Sequence, residues 1–324
     1  MSPINWPSAA SNKPPNSANS ANQAETGSTT TAGLPLIPLG VESASESAVT
    51  FPAETPRRHL ADLILTAETD RQLRIALAKI RYHDRLYTEW GIGTIDPEGR
   101  GTILNLYGPP GTGKTFAAEA IADSLGKPII RVDYAQIESR FVGDTPKNLT
   151  AAFAAARAAD AVLFFDEADS VLSRRVTTIT QAADYGVNVT RSTLLLQLDS
   201  FDGVVVFATN LAANYDSAFI RRITAHVYFP LPDTDALIRL WRYHLPAALP
   251  RLPDVTPERL AALSDGLSGG DILNAVILAA SAALDRGGEA VTLIDFVDAL
   301  TQIRRARAEI GGGASNALSF ALND

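Results

Sequence analysis

Residues 108–115 constrain this chain more than any other stretch, because they read Gly-Pro-Pro-Gly-Thr-Gly-Lys-Thr. This is the Gly-x-x-x-x-Gly-Lys-Thr pattern of a loop that binds phosphate between a strand and a helix. The apolar residues 103–107 before it are typical of a buried strand, and residues 116–122 after it are typical of a helix. The sequence therefore predicts a nucleotide phosphate site at a strand-to-helix turn.

Each residue type in this loop has a physical reason. Glycines let backbone N–H groups approach phosphate oxygens closely, and the following helix adds the positive end of its dipole. Lys114 is placed to reach the β- and γ-phosphates, and Thr115 to hold Mg²⁺. The predicted phosphate-binding residues are Pro109, Pro110, Gly111, Thr112, Gly113, Lys114 and Thr115.

A pair of carboxylates follows the predicted third strand. Residues 161–165 are apolar, and Asp166 and Glu167 come next. Ligands of open α/β sheets bind at the C-terminal ends of the strands. A lone Asp-Glu pair indicates only a solvated strand end. Beside a phosphate loop, we expect Asp166 to support Mg²⁺ through its water shell and Glu167 to activate the attacking water.

Polar residues after the fourth predicted strand extend this site. Asn210 is either an ordinary capping residue or an amide that holds the attacking water against Glu167. Further on, Arg221 and Arg222 are adjacent. They read either as a solvated helix end or, in a ring of subunits, as guanidinium groups that reach a neighbour's γ-phosphate.

Composition narrows the class of protein. The chain has 324 residues with a net charge of −8, which argues against a broad nucleic-acid-binding surface. It has no cysteine, which excludes disulfides and thiolate metal sites. No apolar run reaches the ~18 residues of a membrane span, and the N-terminus lacks the pattern of a secretion signal. We expect a cytoplasmic protein.

Four regions follow one another along the chain. Residues 1–55 are rich in Ser, Ala, Asn and Pro and predict a disordered tail, either a spacer or the carrier of a short docking motif. Residues 56–230 predict an α/β domain with an N-terminal helical segment that runs to about residue 90. Residues 231–310 show only helical spacing and predict a small all-α domain, and residues 311–324 predict a flexible tail.

The predicted strands alternate with helices, which favours a parallel sheet covered on both faces. They are residues 103–107, 127–132, 161–165, 204–208 and 226–229. The predicted helices of the C-terminal domain are residues 234–245, 257–265, 269–286 and 292–308.

One aromatic residue stands out in the predicted loop after the second strand. Phe141 lies between Arg140 and the pair Val142-Gly143. It either folds back on the core or acts as a paddle that grips an extended polypeptide, since aromatic surface binds without a sequence requirement.

These motifs together resemble the AAA+ ATPases, and within them the AAA clade of unfoldases and severing enzymes. The shared segments are Gly-Pro-Pro-Gly-Thr-Gly-Lys-Thr, Leu-Phe-Phe-Asp-Glu-Ala-Asp-Ser, Phe-Ala-Thr-Asn and Asp-Ser-Ala-Phe-Ile-Arg-Arg, in the family's order, over about residues 60–305. The resemblance implies a P-loop ATPase domain with a parallel sheet, a small all-α lid, and ATP with Mg²⁺ as cofactors. It also implies a homo-oligomer, expected to be a hexameric ring, and a protein substrate.

Residue roles follow from the same resemblance. Asn210 matches the first sensor, Arg221 and Arg222 match the arginine fingers, and Phe141 matches the pore aromatic. Gly269 and Gly270 match the lid backbone that lies by the adenine. The chain departs from the family in having adjacent fingers, of which we favour Arg221, and in lacking a clear second-sensor arginine.

The sequence therefore predicts an ATP-hydrolysing ring that unfolds, remodels or disassembles proteins through a central pore. The alternatives are a dedicated chaperone or activase of one partner, such as a metabolic enzyme or a phage-tail-like injection apparatus, a DNA-linked loader, and a nucleotide-dependent scaffold. The acidic net charge and the pore aromatic argue against the loader, so we expect no nucleic acid partner. No His-Glu-x-x-His segment of a metalloprotease is present.

Overall fold

The computed structural model describes residues 49–97, 99, 101–133, 144–172, 182–210 and 215–311. The described residues from Thr50 onward belong to one compact unit. None of the described helices is both long and apolar enough to cross a lipid bilayer.

A parallel sheet forms the centre of the unit, as predicted. In the described part of the chain it has five strands in the order β2-β3-β4-β1-β5. The strands are β1 (Thr102–Tyr107), β2 (Ile129–Asp133), β3 (Val162–Asp166), β4 (Val204–Thr209) and β5 (Ala225–Tyr228). Runs such as Val-Val-Val-Phe-Ala-Thr in β4 are buried along their whole length, which is typical of a parallel sheet covered on both faces.

The register of the sheet brings the polar strand ends to one edge. Tyr107 at the end of β1 lies opposite Thr209 at the end of β4. Phe165 of β3 lies opposite Phe207 of β4, so Asp166 follows at the same level. Because all the pairings are parallel, the residues after these strands leave the sheet side by side.

Helices cover both faces of this sheet. They are α1 (Ala67–Arg81), α2 (Lys114–Ser124), α3 (Asp144–Ala159), α4 (Asp169–Leu172), α5 (Ala182–Asp199) and α6 (Ser217–Ile220). One core, with Phe153, Leu194 and Phe207, lies on the side of α3 and α5. The other core, with Leu77 and Ile121, lies on the side of α1 and α2.

The chain after β5 forms the predicted all-α lid. Its helices are α7 (Thr234–His244), α8 (Pro257–Ala262), α9 (Gly269–Asp285) and α10 (Leu293–Gly311). They share a separate core around Trp241, whose ring meets Phe296 edge to face and whose indole N–H donates to Ser264 at 3.0 Å. The boundaries at residues 230 and 310 stay predictions.

The N-terminal segment that was predicted to be mostly helical up to about residue 90 consists of α1, which ends at Arg81, and a π-helical turn, Arg85–Glu89. The predicted disordered tail extends too far, because Phe51 is buried against the core and Glu54 bridges to Ile129 at the start of β2. The sequence did not indicate this contact, because a single aromatic residue such as Phe51 in a polar stretch creates no hydrophobic periodicity.

Residues 51–66, which we term the N-terminal strap, run from the edge strand β2 across α2 to the start of α1. The Glu119 carboxylate on α2 fixes the strap, because it accepts hydrogen bonds at 2.6 Å from both the Arg57 N–H and the Arg131 guanidinium. Further along, the Arg58 guanidinium lies over the Phe116 ring and His59 contacts Asp123. The strap is therefore held by polar contacts along its length.

We predict that Glu119→Gln lowers the free energy of unfolding at neutral pH by about 1–3 kcal/mol, since it weakens two hydrogen bonds to a buried carboxylate. Burial acts to raise the pKa of Glu119, but the hydrogen bonds from Arg57 and Arg131 outweigh it and lower the pKa. A lowered folded-state pKa gives stability above the ordinary pKa of a glutamate, and this stability is lost as the pH falls. Urea unfolding at neutral and acid pH should therefore show a difference that narrows in acid.

Glu68→Gln is the matched control for this measurement. Glu68 on α1 is exposed and pairs with Arg71 one turn away, and such surface pairs contribute little to stability. Equal unfolding curves for the two variants would contradict the role of Glu119.

Candidate active site

The loop between β1 and α2 takes a shape that its glycines permit. Gly108 has φ 145°, and a Cβ atom there would lie 2.1 Å from the carbonyl oxygen of Phe229 at the end of β5. Gly113 has φ 95° and caps α2, which begins at Lys114. A side chain at Gly108 would push the loop off the sheet, so this position requires glycine.

The Lys114 side chain is folded into its own loop. Its ammonium group donates to the carbonyl oxygens of Gly108 and Pro109, both at 2.8 Å, and the residue is buried. Burial lowers the pKa of Lys114, while the charges of Asp166 and Asp169 oppose this shift. A phosphate oxygen can replace the carbonyl contacts with a stronger, charge-assisted hydrogen bond.

The Thr115 hydroxyl donates to the Asp166 carboxylate at 2.9 Å. This contact joins the first turn of α2 to the end of β3. A hydroxyl oxygen next to a carboxylate suits Mg²⁺, a cation that prefers oxygen ligands and keeps several waters when it binds protein. These two residues therefore fit a magnesium ion held beside the phosphates.

Glu167 has an unusual backbone conformation. Its φ is 50°, in the left-handed region that residues other than glycine rarely adopt. Two hydrogen bonds hold it there: its own N–H donates to the Asp166 side chain at 3.0 Å, and the Ala168 N–H donates to Ala208 O at 2.9 Å. The Glu167 side chain is exposed at the sheet edge, beside Asp166.

Asn210 leaves β4 at the same edge and is also exposed. Its N–H donates to the Asp169 carboxylate at 3.3 Å, and the Thr209 hydroxyl donates to the other oxygen of Asp169. The carboxylate of Asp169 thus ties the end of β4 to the segment after β3. The structure brings Lys114, Asp166 and Asn210 to one edge, as predicted.

A partly open cavity of about 250 Å³ lies next to the loop. Its lining comes from the strap and start of α1, the loop at residues 111–113, Phe116 of α2, the residues Phe229, Pro230 and Pro232 after β5, α7, and the start of α9. Most of the lining is apolar, with Ile64, Phe116 and Leu240 as examples. Burial lowers the pKa of His244 in this lining, so the ring is neutral at pH 7. The cavity suits the base of a nucleotide.

The start of α9 touches the loop directly. The Gly270 N–H donates to Gly111 O at 3.1 Å, and Gly269 and Gly270 both line the cavity. Ser268 caps α9 in a box with Asp271, and Arg307 from α10 reaches Asp271 at 2.5 Å. The lid therefore lies where a nucleotide on the loop would meet it.

The two predicted finger arginines lie in different environments. Arg222 pairs with Asp199 of α5 through two hydrogen bonds of 2.6 and 2.8 Å. Within the described part of the chain, the exposed Arg221 side chain makes no hydrogen bond or ion pair. Both precede the N-terminal end of β5, whereas the loop follows the C-terminal end of the parallel neighbour β1. The structure does not bring these arginines to their own subunit's loop.

The sequence did not identify several residues of the site. The strap, Leu240 and His244 belong to no motif, and only the apolar spacing of their segments indicated burial. Phe141, the predicted pore aromatic, lies outside the described residues.

Comparison with known proteins agrees with this geometry. Residues 104–231 match the model of the ATPase family associated with various cellular activities (AAA). The proteasome-activating nucleotidase of Aeropyrum pernix is 33% identical over 267 residues, which cover 80% of this chain and 63% of that protein. The corresponding protein of Methanopyrus kandleri is 30% identical over 266 residues, covering 80% of this chain and 59% of that protein.

A third relative is the ATP-dependent zinc metalloprotease FtsH 3 of Sphaerobacter thermophilus. It is 33% identical over 267 residues, which cover 79% of this chain and 52% of that protein. The chain thus spans less than two thirds of the length of these curated relatives. The matched region contains the loop, the Asp166-Glu167 pair and the arginine pair. Residues 104–231 are thus a domain of the AAA ATPase family.

Proposed function

We propose that this chain is a magnesium-dependent ATPase that assembles as a ring, expected to be hexameric, and unfolds or remodels proteins in the cytoplasm. The observation that carries the ATPase part is the contact between Thr115 and Asp166 beside the buried Lys114, with Glu167 next in sequence. The names of the relatives, two proteasome-activating nucleotidases and an ATP-dependent protease, support a protein as the substrate.

In this proposal each group at the sheet edge has one task. The loop N–H groups and Lys114 bind the β- and γ-phosphates, and the cavity beside Gly270 holds the adenine. Thr115 and Asp166 would hold Mg²⁺, which would supply positive charge to neutralise the charge that develops on the phosphates. Glu167 accepts a proton from the attacking water, and the Asn210 amide orients that water.

The arginine pair supports a ring. Since Arg221 lies away from its own loop and Arg222 is bound to Asp199, we propose that Arg221 stabilises the γ-phosphate of the neighbouring subunit. Hydrolysis then depends on assembly. Closure of the lid over the nucleotide would move the loop that carries Phe141, which we propose contacts the polypeptide in the central pore.

Lys114→Ala should weaken ATP binding by about two orders of magnitude, because it removes a charge-assisted hydrogen bond to phosphate. Calorimetric titration with a slowly hydrolysed ATP analogue measures this. Lys127→Ala is the control, since Lys127 pairs with Asp160 at the opposite end of the sheet and should leave affinity unchanged. Tight binding by Lys114→Ala would show that the loop assignment is wrong.

Glu167→Gln should bind ATP normally but hydrolyse it about 10²–10⁴-fold more slowly, because the amide cannot accept the proton. Steady-state phosphate release and nucleotide binding separate the two effects. Glu68→Gln, which changes an exposed carboxylate on α1, should match the wild type. Wild-type turnover by Glu167→Gln would refute its role as the base.

The same variant tests whether the substrate is a protein. With ATP, Glu167→Gln should form a stable ring and retain bound polypeptide, while Lys114→Ala should retain none. Isolation from native extract with ATP measures this. A single dominant protein would indicate a dedicated chaperone, a broad set a general unfoldase, and no ATP-dependent capture would contradict protein remodelling.

Arg221→Ala should lower turnover about 10³-fold without loss of ATP binding, because the charge it supplies acts only in the transition state. Arg222→Ala should instead lower the melting temperature, since it breaks the ion pair with Asp199. Mixing Arg221→Ala with Lys114→Ala subunits should restore part of the turnover, as each supplies what the other lacks. No recovery on mixing, or full turnover by Arg221→Ala alone, would contradict action across the subunit interface.

A further inference from the structure

A buried amide lies in the middle of the central strand β1. Asn105 is fully buried between Leu104 and Leu106, and its side chain is on the side of the α3–α5 core. Its Nδ2 atom lies 3.2 Å from His226 Nδ1 and 3.5 Å from the Tyr215 hydroxyl, and its Oδ1 has no partner in the described part of the chain. An apolar side chain would fill this position at lower cost, since a buried amide is only partly compensated here. The amide therefore points to a role other than packing.

A line of hydroxyl groups continues from this amide to the sheet edge. The Tyr215 hydroxyl donates to Thr209 Oγ1 at 2.9 Å, and Thr209 in turn donates to the Asp169 carboxylate. Burial raises the pKa of Tyr215, which keeps its hydroxyl protonated. Each group thus donates to the next in one direction, an arrangement in which hydrogen bonds strengthen one another. We term these four residues the Asn105 relay.

The relay ends at the site's own groups. The Asp169 oxygen that Thr209 does not bind accepts the Asn210 N–H at 3.3 Å. Asp169 is also two residues after Glu167, whose φ lies in the left-handed region. The Asp169 carboxylate therefore links the backbone of Asn210 to the segment that carries Glu167.

We propose that Tyr215 is a positioning residue for ATP hydrolysis: through Thr209 and Asp169 it sets the distance between Asn210 and Glu167, the two groups that hold the attacking water. Tyr215 does not touch nucleotide. Its effect falls on the chemical step because water orientation matters only there, and nucleotide affinity depends on the loop and the cavity. This inference rests on the proposed ATPase function.

Tyr215→Phe removes the hydroxyl and keeps the ring that packs on the core. We expect kcat to fall about fivefold to tenfold, the rate equivalent of one hydrogen bond, with KM for ATP unchanged. Asn105→Leu should lower kcat in the same direction while the melting temperature stays equal or rises, because it replaces an incompletely bonded amide with an apolar group. A purely structural role predicts the opposite change in melting temperature.

Tyr228→Phe is the matched control. Tyr228 ends β5, its ring contacts Tyr107, and its hydroxyl makes no hydrogen bond within the described residues. Turnover and exchange by this variant should equal those of the wild type. Thr209→Val adds a further check: combined with Tyr215→Phe it should lower kcat no more than the stronger single change, since both break the same line.

Hydrogen exchange separates the failure of this inference from the failure of the proposed function. In Tyr215→Phe, and not in Tyr228→Phe, the amides of residues 207–210 should exchange faster than in the wild type, whether or not the chain hydrolyses ATP. Unchanged exchange there overturns the relay. A wild-type protein without turnover overturns the ATPase proposal, and normal kcat in Tyr215→Phe beside an active wild type overturns the positioning role.

Discussion

The parallel pairing of β1 with β4 is the constraint on which the site depends. It sets Tyr107 opposite Thr209, so the loop that follows β1 and the Asn210 that follows β4 leave the sheet side by side. The pairing of β3 with β4 then adds Asp166 at the same edge. A shift of one residue in either pairing would turn every side chain of the shifted strand to the other face of the sheet. The buried, branched side chains of these strands make such a shift costly, so the core that stabilises the fold also sets the geometry of the site.

The buried charge of Lys114 shows how the loop is prepared for phosphate. A desolvated ammonium group is costly unless it is bonded, and here two carbonyls of its own loop bind it. Those carbonyls are neutral acceptors, whereas a phosphate oxygen is charged. Replacement of a carbonyl oxygen by a phosphate oxygen as the acceptor for Lys114 is therefore favourable, and the lysine side chain needs only a short movement. The positive φ values of Gly108 and Gly113 keep the loop in the shape that permits this exchange.

The sequence predicts the parts of this molecule in which neighbouring residues act together. The loop, the carboxylate pair after β3 and the helical spacing of the lid are local patterns, and the five predicted strands and four predicted lid helices lie close to their observed bounds. The cavity is different, since its walls come from the strap, the loop and two lid helices, and no local pattern records that they meet. The ion pair of Arg222 with Asp199 and the contact of Asn105 with Tyr215, 110 residues later, are hidden for the same reason. The sequence shows that Arg221 and Arg222 are adjacent. It does not show that Arg222 is already paired with Asp199.

The position of Tyr215 connects these separate features. The next residue, Asp216, caps α6, and Arg221 follows that helix directly. The hydroxyl of Tyr215 reaches back to Thr209 at the catalytic edge. One short segment therefore has two features of interest. At its start Tyr215 contacts Thr209, beside the groups proposed to hold the water, and at its end lies the arginine proposed to act on the neighbour's phosphate. A four-residue helix with a buried Phe219 has little room to bend between those two points. In the proposed ring, this segment would connect the groups that hold the water in one subunit to the arginine that acts on the next, and such a contiguous connection is what coupling between subunits would use.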